Sequence, residues 1–388
     1  MSRKVDLAVA GAGPGGLYAA LEALNRGLSV HVFDKKTVVG TPVKCGEYFP
    51  VRKEMESLLP NAGEYMGVFD VPNDAVDNTC NKLRVISPTG REFEFDFEAF
   101  ILNRTILEQG LAKEVERLGG TIELRKSVDL FVQNGTLLVG PNMSEGVTTR
   151  VVVAADGFPS KLAKSAGILT QDYMTPNNVA INYEYLMSDL SVDQSVTEMY
   201  MGTEFAPGGY GWIIPKGNRS ANVGIGIRTT YSKRNDGRTY LKYFLDDCPL
   251  SKSKLLGGKP GPMIADVLPV DGPLPTTCLG QVIAVGDAAG MVMPTNGGGI
   301  ATAMITGQIA GQIAADHVQK GTPISDYERK WKAVMGKEMR VSTKLRRLAD
   351  HFMGNDFIFN ILLHILGTNG IKNVITCRAP KGLAPFVS

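Results

Sequence analysis

The chain begins with an apolar stretch, a glycine-rich turn and a helical pattern, in that order. Residues 5–10 are mostly apolar, residues 11–16 read GAGPGG, the helical pattern runs to about residue 27, and residues 29–33 are apolar again. A nearly unbroken apolar run is typical of a strand buried on both faces of a parallel sheet. The pattern therefore predicts a βαβ unit at the start of the chain.

Strand and helix patterns then alternate, and their type changes along the chain. Alternating segments around a Pro-Thr-Gly turn predict a hairpin, apolar residues every three or four positions predict a helix, and clustered short strands predict an antiparallel sheet. The predicted elements are a hairpin at 83–87 and 92–97, a helix at 104–118, strands at 128–132, 136–139 and 150–155, separate strands within 179–228, a strand at 281–287 and a small-residue helix at 299–319.

The order of these elements predicts an α/β fold, α+β overall. A Rossmann-like nucleotide-binding domain is interrupted by an inserted antiparallel sheet domain and followed by a C-terminal helical region. The length of 388 residues is enough for two domains. The predicted boundaries are 1–80, 98–170 and 263–325 for the nucleotide-binding domain, 81–97 and 171–262 for the substrate-binding sheet domain, and 326–388 for the helical region.

The first glycine turn has the spacing of a dinucleotide-binding loop. Gly11 permits the tight turn, Gly13 lets backbone N–H groups approach a pyrophosphate, and Gly16 lets the helix pack closely on the strand. The positive end of the helix then faces the phosphates. Asp34 lies where a carboxylate binds the adenosine ribose, although Lys35 beside it weakens the preference for an unphosphorylated ribose.

A second glycine-rich turn follows the predicted strand at 281–287. Asp287 ends that strand and is placed to accept a hydrogen bond from a hydroxyl, and residues 297–299 are three consecutive glycines before a helix. Two such turns suit a ligand with two ends. FAD therefore fits better than NAD.

Composition limits the other chemistry. A net charge of +2 gives no reason to expect a nucleic-acid partner. The histidines lack ligand spacing and the cysteines lack CxxC spacing, so we expect no metal.

Neither a secretory signal nor a long apolar span is visible, and the scattered cysteines suit a reducing compartment. We expect a cytoplasmic protein, or one peripheral on the inner face of the cell membrane.

Three further motifs resemble those of a known flavoprotein family. They are PVKCGE at 42–47, GYGWIIPKG at 209–217 and ANVGIG at 221–226. Together with the glycine turns, they make the chain similar to the aromatic-hydroxylase class of flavoproteins. Within that class, it resembles the geranylgeranyl reductase family, above all the archaeal digeranylgeranylglycerophospholipid reductases. The resemblance implies bound FAD and saturation of C=C bonds in the geranylgeranyl chains of isoprenoid membrane lipids.

The resemblance also implies a set of cofactor-binding residues. Asp156 and Gly157 either belong to it or form a capped turn between a strand and a helix. The remaining residues are Gly11, Gly13, Gly15 and Gly16 for the pyrophosphate, Asp34 for the adenosine ribose, Val128 for the adenine, Arg104 for the phosphates or ribityl chain, Asp287 for a hydroxyl of the ribityl or pyrophosphate region, and Cys45, Gly46, Gly299 and Ile300 for the isoalloxazine. Lys35, Gly297 and Gly298 are further cofactor-binding residues, without a specific part of the cofactor.

A few residues are candidates for the chemistry itself. An isolated alkene is unpolarised, so a hydride from reduced flavin must be accompanied by a proton. Cys45 is the first candidate for that acid, with Glu47 and Tyr210 behind it, because burial keeps a thiol neutral; alternatively, Cys45 is an apolar filler against the flavin. Tyr210, Trp212 and Pro215 either wall a tunnel for the substrate or only pack on the sheet.

Two other functions of the same fold stay open, an FAD-dependent monooxygenase or halogenase and an electron carrier to quinone. One dinucleotide fold is visible, so the flavin would be reduced by a transient partner, either NAD(P)H or a protein electron donor. The substrate partner would be an isoprenoid lipid. The apolar segment 352–375 either packs as a core helix or makes peripheral contact with a membrane.

Overall fold

Two eight-stranded sheets and nine α-helices make up the described part of the chain, which is residues 3–133, 135–233, 236–380 and 382–383 of a computed structural model. The strands are β1 Lys4–Ala10, β2 Val30–Asp34, β3 Tyr48–Pro50, β4 Val76–Ile86, β5 Glu92–Leu102, β6 Thr121–Leu124, β7 Asp129–Gln133, β8 Thr136–Gly140, β9 Val147–Ala154, β10 Val179–Ser188, β11 Val196–Tyr200, β12 Tyr210–Gly217, β13 Ser220–Ile227, β14 Lys259–Pro269, β15 Cys278–Leu279 and β16 Val282–Ala284. The helices are α1 Pro14–Asn25, α2 Arg52–Leu58, α3 Arg104–Arg117, α4 Lys161–Ser165, α5 Gly237–Asp246, α6 Lys252–Leu255, α7 Ile300–Lys320, α8 Asp326–Ala349 and α9 Asp356–Ile375.

The first sheet is parallel at its centre, with the order β15-β16-β9-β1-β2-β6 and the β7–β8 hairpin attached to β9 through β8. Leu7 of β1 pairs with Val30 on one side and Val151 on the other, and all three are buried. Helices α1 and α7 touch so closely that a Cβ on Gly307 would lie 2.1 Å from the carbonyl oxygen of Gly15. The predicted Rossmann-like βαβ unit is confirmed.

The second sheet has the order β14-β10-β13-β12-β11-β4-β5-β3 and is antiparallel except where β11 pairs with β4. The predicted hairpin is confirmed and is longer than its pattern indicated, since β4 and β5 pair from Ile86–Glu92 back to Val76–Leu102. The sheet also contains β3, which lies outside the predicted sheet domain. Strand β5 crosses the predicted boundary at residue 97, and β14 crosses the one at residue 262. Those domain boundaries stay a prediction.

Helix ends follow local signals in the sequence. The Asn103 side chain accepts a hydrogen bond from the Ile106 amide at the start of α3, and Asn355 caps α9 in the same way. Pro14 opens α1, and Gly321 in the left-handed conformation ends α7. The helices predicted at 104–118 and 299–319 are α3 and α7.

The C-terminal helices lie over the cavity and the second sheet. Lys372 of α9 donates to the carbonyl of Asp96 on β5 at 2.9 Å. Among the described residues, α9 is the one helix long and apolar enough to cross a membrane, and 22% of its apolar window is buried. Gly367, at φ 58°, interrupts its helical geometry. The predicted helical region 326–388 continues past Leu383, outside the described residues.

Candidate active site

A continuous cavity of about 940 Å³ is lined by residues of both sheets and of the C-terminal helices. Both predicted glycine turns line it, as does the loop that carries Cys45. Apolar side chains of the second sheet and of α9 form another part of the wall: Leu83, Val85, Phe97, Met199, Met201, Phe359, Leu362, Leu363 and Leu366. The cavity therefore joins a polar, glycine-lined region to a long apolar one.

The first glycine turn is shaped by close backbone contacts. A Cβ on Gly11, which has φ 108°, would lie 2.1 Å from the Ala155 carbonyl oxygen, and one on Gly16 would lie 1.9 Å from the Gly11 oxygen. A Cβ on Gly13 would meet nothing within 4 Å, and Gly13 and Gly15 both line the cavity. The space in front of Gly13 is where the motif places a pyrophosphate.

Asp34 bonds to the glycine turn with one carboxylate oxygen and to the loop after β2 with the other. Its Oδ2 accepts from the Ala12 amide and its Oδ1 from the Lys36 amide, each at 2.7 Å. Each oxygen keeps a second lone pair, so the carboxylate can still accept a ribose hydroxyl. Lys35 and Val128 line the cavity beside it. The roles of these residues toward the cofactor stay predictions.

Asp156 caps a short helix. Its Oδ1 accepts from the Ser160 hydroxyl at 2.5 Å, and its Oδ2 accepts from the amides of Lys161 and Leu162 at 2.8 and 3.2 Å. Asp156 and Gly157, which has φ 79°, also line the cavity. The geometry favours the capped turn at the start of α4 over a dedicated cofactor ligand.

The second glycine turn is tied to the second sheet. The Tyr210 hydroxyl donates to the Asn296 carbonyl at 2.6 Å. A Cβ on Gly299 would lie 3.2 Å from Oδ1 of Asp287. Burial raises the pKa of Asp287 to about 6, partly opposed by Arg104, so a hydrogen-bond donor from a ligand would favour its ionised form. The other predicted residues of this turn also line the cavity: Gly297, Gly298 and Ile300.

Cys45 lies where the polar and apolar regions meet. Its Sγ accepts from the Glu47 amide at 3.3 Å, and burial raises the pKa of the thiol, although Arg104 beside it acts in the opposite direction. The thiol is therefore neutral at pH 7. The Arg104 guanidinium donates to Glu108, including a 2.8 Å bond from Nε, and lines the cavity. Its predicted contact with the cofactor therefore competes with an internal ion pair.

Glu47 has both carboxylate oxygens committed. Oε1 accepts from the Arg104 amide at 2.9 Å, and Oε2 forms a buried ion pair with Lys216, which also lies 3.0 Å from Asp77. Glu47 itself has φ 61°, a conformation that these bonds must hold in place. These contacts favour a positioning role of Glu47 for the Cys45 loop, and its role as an acid stays a prediction.

The Cys45 loop lies directly on β12 and β13. Trp212 Nε1 donates to Oδ1 of Asn222 at 2.6 Å, and the Asn222 amide donates to the Cys45 carbonyl at 3.4 Å. A Cβ on Gly46 would lie 2.6 Å from Cδ1 of Ile214, so a larger residue there would require the end of the Ile214 side chain to move. Asn222 was not predicted as a site residue. The available sign in the sequence was a polar side chain within a mostly apolar strand.

Glu184 is a second residue that the sequence analysis missed. It is 2% exposed, and its Oε2 has no hydrogen-bond partner among the described residues. Burial raises the pKa of Glu184 to about 7, partly opposed by a hydrogen bond with Asn222. A Cβ added at Gly224 would lie 2.7 Å from the Cβ of Glu184 and would also meet the Trp212 ring. A lone carboxyl in the middle of β10 was the available signal.

Pro215 does not line the cavity among the described residues, so the cavity gives no support to its predicted contact with the substrate, which stays a prediction. Side chains alternate along β12, so Tyr210, Trp212 and Ile214 face the cavity and Pro215 faces away. The Pro215 carbonyl instead accepts from the Asn78 side chain at 3.0 Å. The predicted tunnel wall of Tyr210 and Trp212 is retained.

The residues present fit a flavin dinucleotide. Gly13 leaves open space for the phosphates, the Asp34 carboxylate retains free lone pairs, and the Asp287 carboxyl lines the cavity beside a second glycine turn. Cys45 and Tyr210 then border the place that the isoalloxazine would take. The cavity is large enough for both the cofactor and an apolar chain next to it.

Comparisons with known proteins agree with this arrangement. A sequence profile of the geranylgeranyl reductase catalytic domain matches residues 178–257, and one of an NAD(P)-binding Rossmann-like domain matches residues 9–55. The digeranylgeranylglycerophospholipid reductase of Methanocella arvoryzae is 31% identical, over 98% of this chain and 96% of that protein. Digeranylgeranylglycerophospholipid reductase 2 of Methanococcoides burtonii is 32% identical, over 92% and 87% of the two chains.

Solved structures show the same fold. The crystal structure of a geranylgeranyl bacteriochlorophyll reductase-like protein from Thermoplasma acidophilum has a TM-score of 0.83 and 24% identity, and covers 99% of this chain and 100% of its own. The halogenase PltM, solved with phloroglucinol and FAD, has a TM-score of 0.71 and 11% identity, over 96% and 82% of the two chains. With relatives above 30% identity along nearly its whole length, the chain belongs to the geranylgeranyl reductase family.

Proposed function

We propose that this protein is an FAD-dependent reductase that saturates C=C bonds in the geranylgeranyl chains of archaeal-type membrane lipids. Its relatives carry the name digeranylgeranylglycerophospholipid reductase. The observation that carries the proposal is the position of Cys45, a neutral thiol between the cofactor-binding turns and an apolar wall. A chain without polar groups fits that wall, and a proton donor is needed only where its double bond reacts.

The residues around Cys45 supply what an unpolarised alkene needs. When bound, reduced FAD supplies the hydride. The Cys45 thiol donates a proton to the other carbon of the double bond, and it can do so because burial keeps its pKa above the ordinary value of 9.0. Arg104 lies beside the sulfur and stabilises the thiolate that remains. Asn222 and Gly46 hold the loop on the sheet, so the sulfur has a fixed position.

The proposal is tested by replacing this thiol. We expect Cys45→Ala to keep full flavin content and to lose roughly a hundredfold in the rate of alkene saturation, a typical loss when a general acid is removed. The measurement is mass spectrometry of digeranylgeranyl lipids after incubation with the reduced enzyme. Cys80→Ala is the matched control, because Cys80 is buried in the second sheet and does not line the cavity. Equal turnover by the two variants would remove Cys45 from the mechanism.

The same assay separates the reductase from the other functions of this fold. A saturated product that gains two hydrogens supports the reductase. Rapid oxygen uptake coupled to a hydroxylated product would instead support a monooxygenase.

The source of electrons is a further part of the proposal. Only the first glycine turn of the described residues has dinucleotide spacing, so NAD(P)H or a protein electron donor must visit transiently. Anaerobic bleaching of the bound flavin by NADH or NADPH would identify a nicotinamide donor. Flavin that stays oxidised with both would indicate a protein donor.

We also propose that the protein works in the cytoplasm as a peripheral protein on the inner face of the cell membrane, in contact through α9. Four large apolar residues of this helix are exposed, Phe357 and Ile365 by 74% and 77% and Ile358 and Ile361 by 44% each. They recur on one side of the helix, while Leu363 on another side lines the cavity. One helix thus contacts both the lipid-like cavity and the outside, which suits entry of a substrate from a bilayer.

Membrane contact is tested by sedimentation with vesicles of archaeal-type ether lipids. We expect the double variant Phe357→Ser/Ile365→Ser to bind these vesicles at least tenfold more weakly than the wild type. Leu256→Ser is the control, since Leu256 is 85% exposed but lies between α6 and β14. Equal loss in both variants, or none, would contradict the assignment to α9.

A further inference from the structure

A cluster of buried charges lines the cavity beyond Tyr210. Arg228 follows β13, two residues past Gly226, which pairs with Tyr210. Arg346 comes from the last turn of α8, and both arginines line the cavity. Arg228 is six positions after Asn222, which lies at the Cys45 loop, and this corresponds to roughly 20 Å along a strand. That span is comparable to an extended geranylgeranyl chain.

Most donors of the two arginines are used within the protein. Arg228 donates from Nε to the Gly208 carbonyl at 2.7 Å and from Nη2 to Asp350 at 2.6 Å, and its guanidinium lies 4.8 Å from the centre of the Tyr231 ring. Arg346 donates to Asp350 at 3.0 Å and also pairs with Asp271.

Two donors of the cluster are left over. Arg228 Nη1 and Arg346 Nε are buried and have no hydrogen-bond partner among the described residues. The side chains of these arginines are 3% and 7% exposed. An unpaired guanidinium nitrogen removed from water is costly, and a protein keeps one where a ligand compensates for it.

The charges of the cluster balance at its two buried arginines. Arg228, Arg346 and the more exposed Arg347 face only two carboxylates, Asp271 and Asp350, with which they are paired. The excess positive charge belongs to Arg347, whose side chain is 61% exposed and does not line the cavity, so the two buried arginines are balanced by the two carboxylates and offer a ligand their unpaired donors. Arginine is the side chain best suited to phosphate, because its donors match two phosphate oxygens at once.

We propose that Arg228 and Arg346 form the binding site for the phosphate of the lipid head group, with the isoprenoid chain extending from there along the apolar wall toward Cys45. Leu345, Leu348 and Phe352 line the cavity next to the arginines and contact the first part of that chain. This inference rests on the proposed reductase function and specifies which lipid the same cavity prefers.

The experiment compares two lipids with the same chains, digeranylgeranylglyceryl phosphate and the phosphate-free digeranylgeranylglycerol. We expect the wild type to have a lower KM for the phosphorylated lipid. Arg228→Met should raise that KM roughly tenfold and change the KM of the neutral lipid less than twofold, because one charged hydrogen-bonding group is lost only toward the phosphate. Arg84→Met is the matched control, because Arg84 is ion-paired in the second sheet but does not line the cavity.

Several outcomes would overturn the proposal. Equal KM values of the wild type for both lipids would do so even if Arg228→Met failed to fold. An equal rise for both lipids in Arg228→Met would make the arginine purely structural. Stimulation of neutral-lipid reduction by millimolar inorganic phosphate would assign the site to free phosphate. If the wild type reduced neither lipid, the proposed function would fail, and not the site alone.

Discussion

The two regions of the cavity are built in opposite ways. The nucleotide-binding region is made by backbone: Gly11, Gly13 and Gly16 lie within six consecutive residues, and their contacts are with main-chain atoms or open space. The apolar region is made by side chains from β4, β5, β10, β11, β12, β14, α8 and α9. A backbone-built site has a compact sequence signature, whereas a side-chain-built site is dispersed along the chain.

The comparison also shows where polar groups are satisfied. In the nucleotide-binding region, Asp34 and Asp156 bond to neighbouring amides, whereas Oε2 of Glu108, the partner of Arg104, is buried without a hydrogen-bond partner among the described residues. In the other region, Arg228 keeps an unpaired buried nitrogen and lines the cavity, while Glu184 keeps an unpaired buried oxygen in β10 and does not line it. Unpaired buried atoms are expected where a site depends on its substrate to complete its hydrogen bonds.

Gly16→Ala would break the backbone-built region most severely. The new Cβ would lie 1.9 Å from the Gly11 carbonyl oxygen, and neither backbone can yield, so we expect a loss of at least about 5 kcal/mol or a failure to fold. Gly13→Ala is the matched control, because its Cβ meets nothing within 4 Å. That variant should keep its melting temperature and lose bound flavin. Thermal unfolding and the ratio of flavin to protein measure both effects, and equal melting temperatures would refute the contrast.

Glu47→Gln tests the contacts that connect the two regions, because Glu47 bonds to the Arg104 amide at the start of α3 and to Lys216 of β12. The change removes one charged partner of Lys216, which keeps Asp77 and the Leu102 carbonyl, so we expect a loss of about 2 to 3 kcal/mol in the free energy of unfolding. Urea unfolding measures it. Because Glu47 positions the loop, reduced turnover should accompany the lost stability. A variant as stable as the wild type but inactive would support Glu47 as an acid.

Glu184→Gln tests the second sheet through the pH dependence of its stability. The folded protein raises the pKa of Glu184 from 4.5 to about 7, so it holds this proton more tightly than the unfolded chain. The wild type therefore loses stability as pH rises from about 4.5 through 7, by at most about 3 kcal/mol. Glutamine cannot ionise, so the melting temperature of the variant relative to the wild type should increase from pH 5 to pH 8. A constant difference would contradict this assignment.

Asp156→Ala has the smallest expected effect. Ser160 remains the N-cap residue of α4, so losing the Asp156 hydrogen bonds to the first amides should cost about 1 kcal/mol, and flavin content should not change. Purified protein without its yellow colour would make Asp156 a cofactor ligand after all.

Local sequence predicted the nucleotide-binding region well. The spacing of Gly11, Gly13 and Gly16, the strand before them and Asp34 at the end of β2 all act within about 30 residues, so pattern and geometry coincide. The alternation along β12 also predicted that Tyr210 and Trp212 share a face. Alternation excludes Pro215 from that face for the same reason, and the motif alone did not show it.

Other features depended on distant contacts. The roles of Glu47, Asn222 and Glu184 appear only when the Cys45 loop lies on β12 and β13. The arginine cluster likewise joins β13 to α8, with Arg228 and Asp350 separated by 122 positions. No local pattern connects residues this far apart.

The sequence by itself determined the Rossmann-like start, the FAD-type pair of glycine turns and the family resemblance, because each depends on backbone geometry that a short stretch of residues encodes. Only the tertiary structure decided which carboxylates are paired, which strand face lines the cavity and which arginine nitrogens are left without partners. These outcomes depend on burial and on the convergence of distant segments, and free energies of desolvation and pairing exist only once the chain is folded.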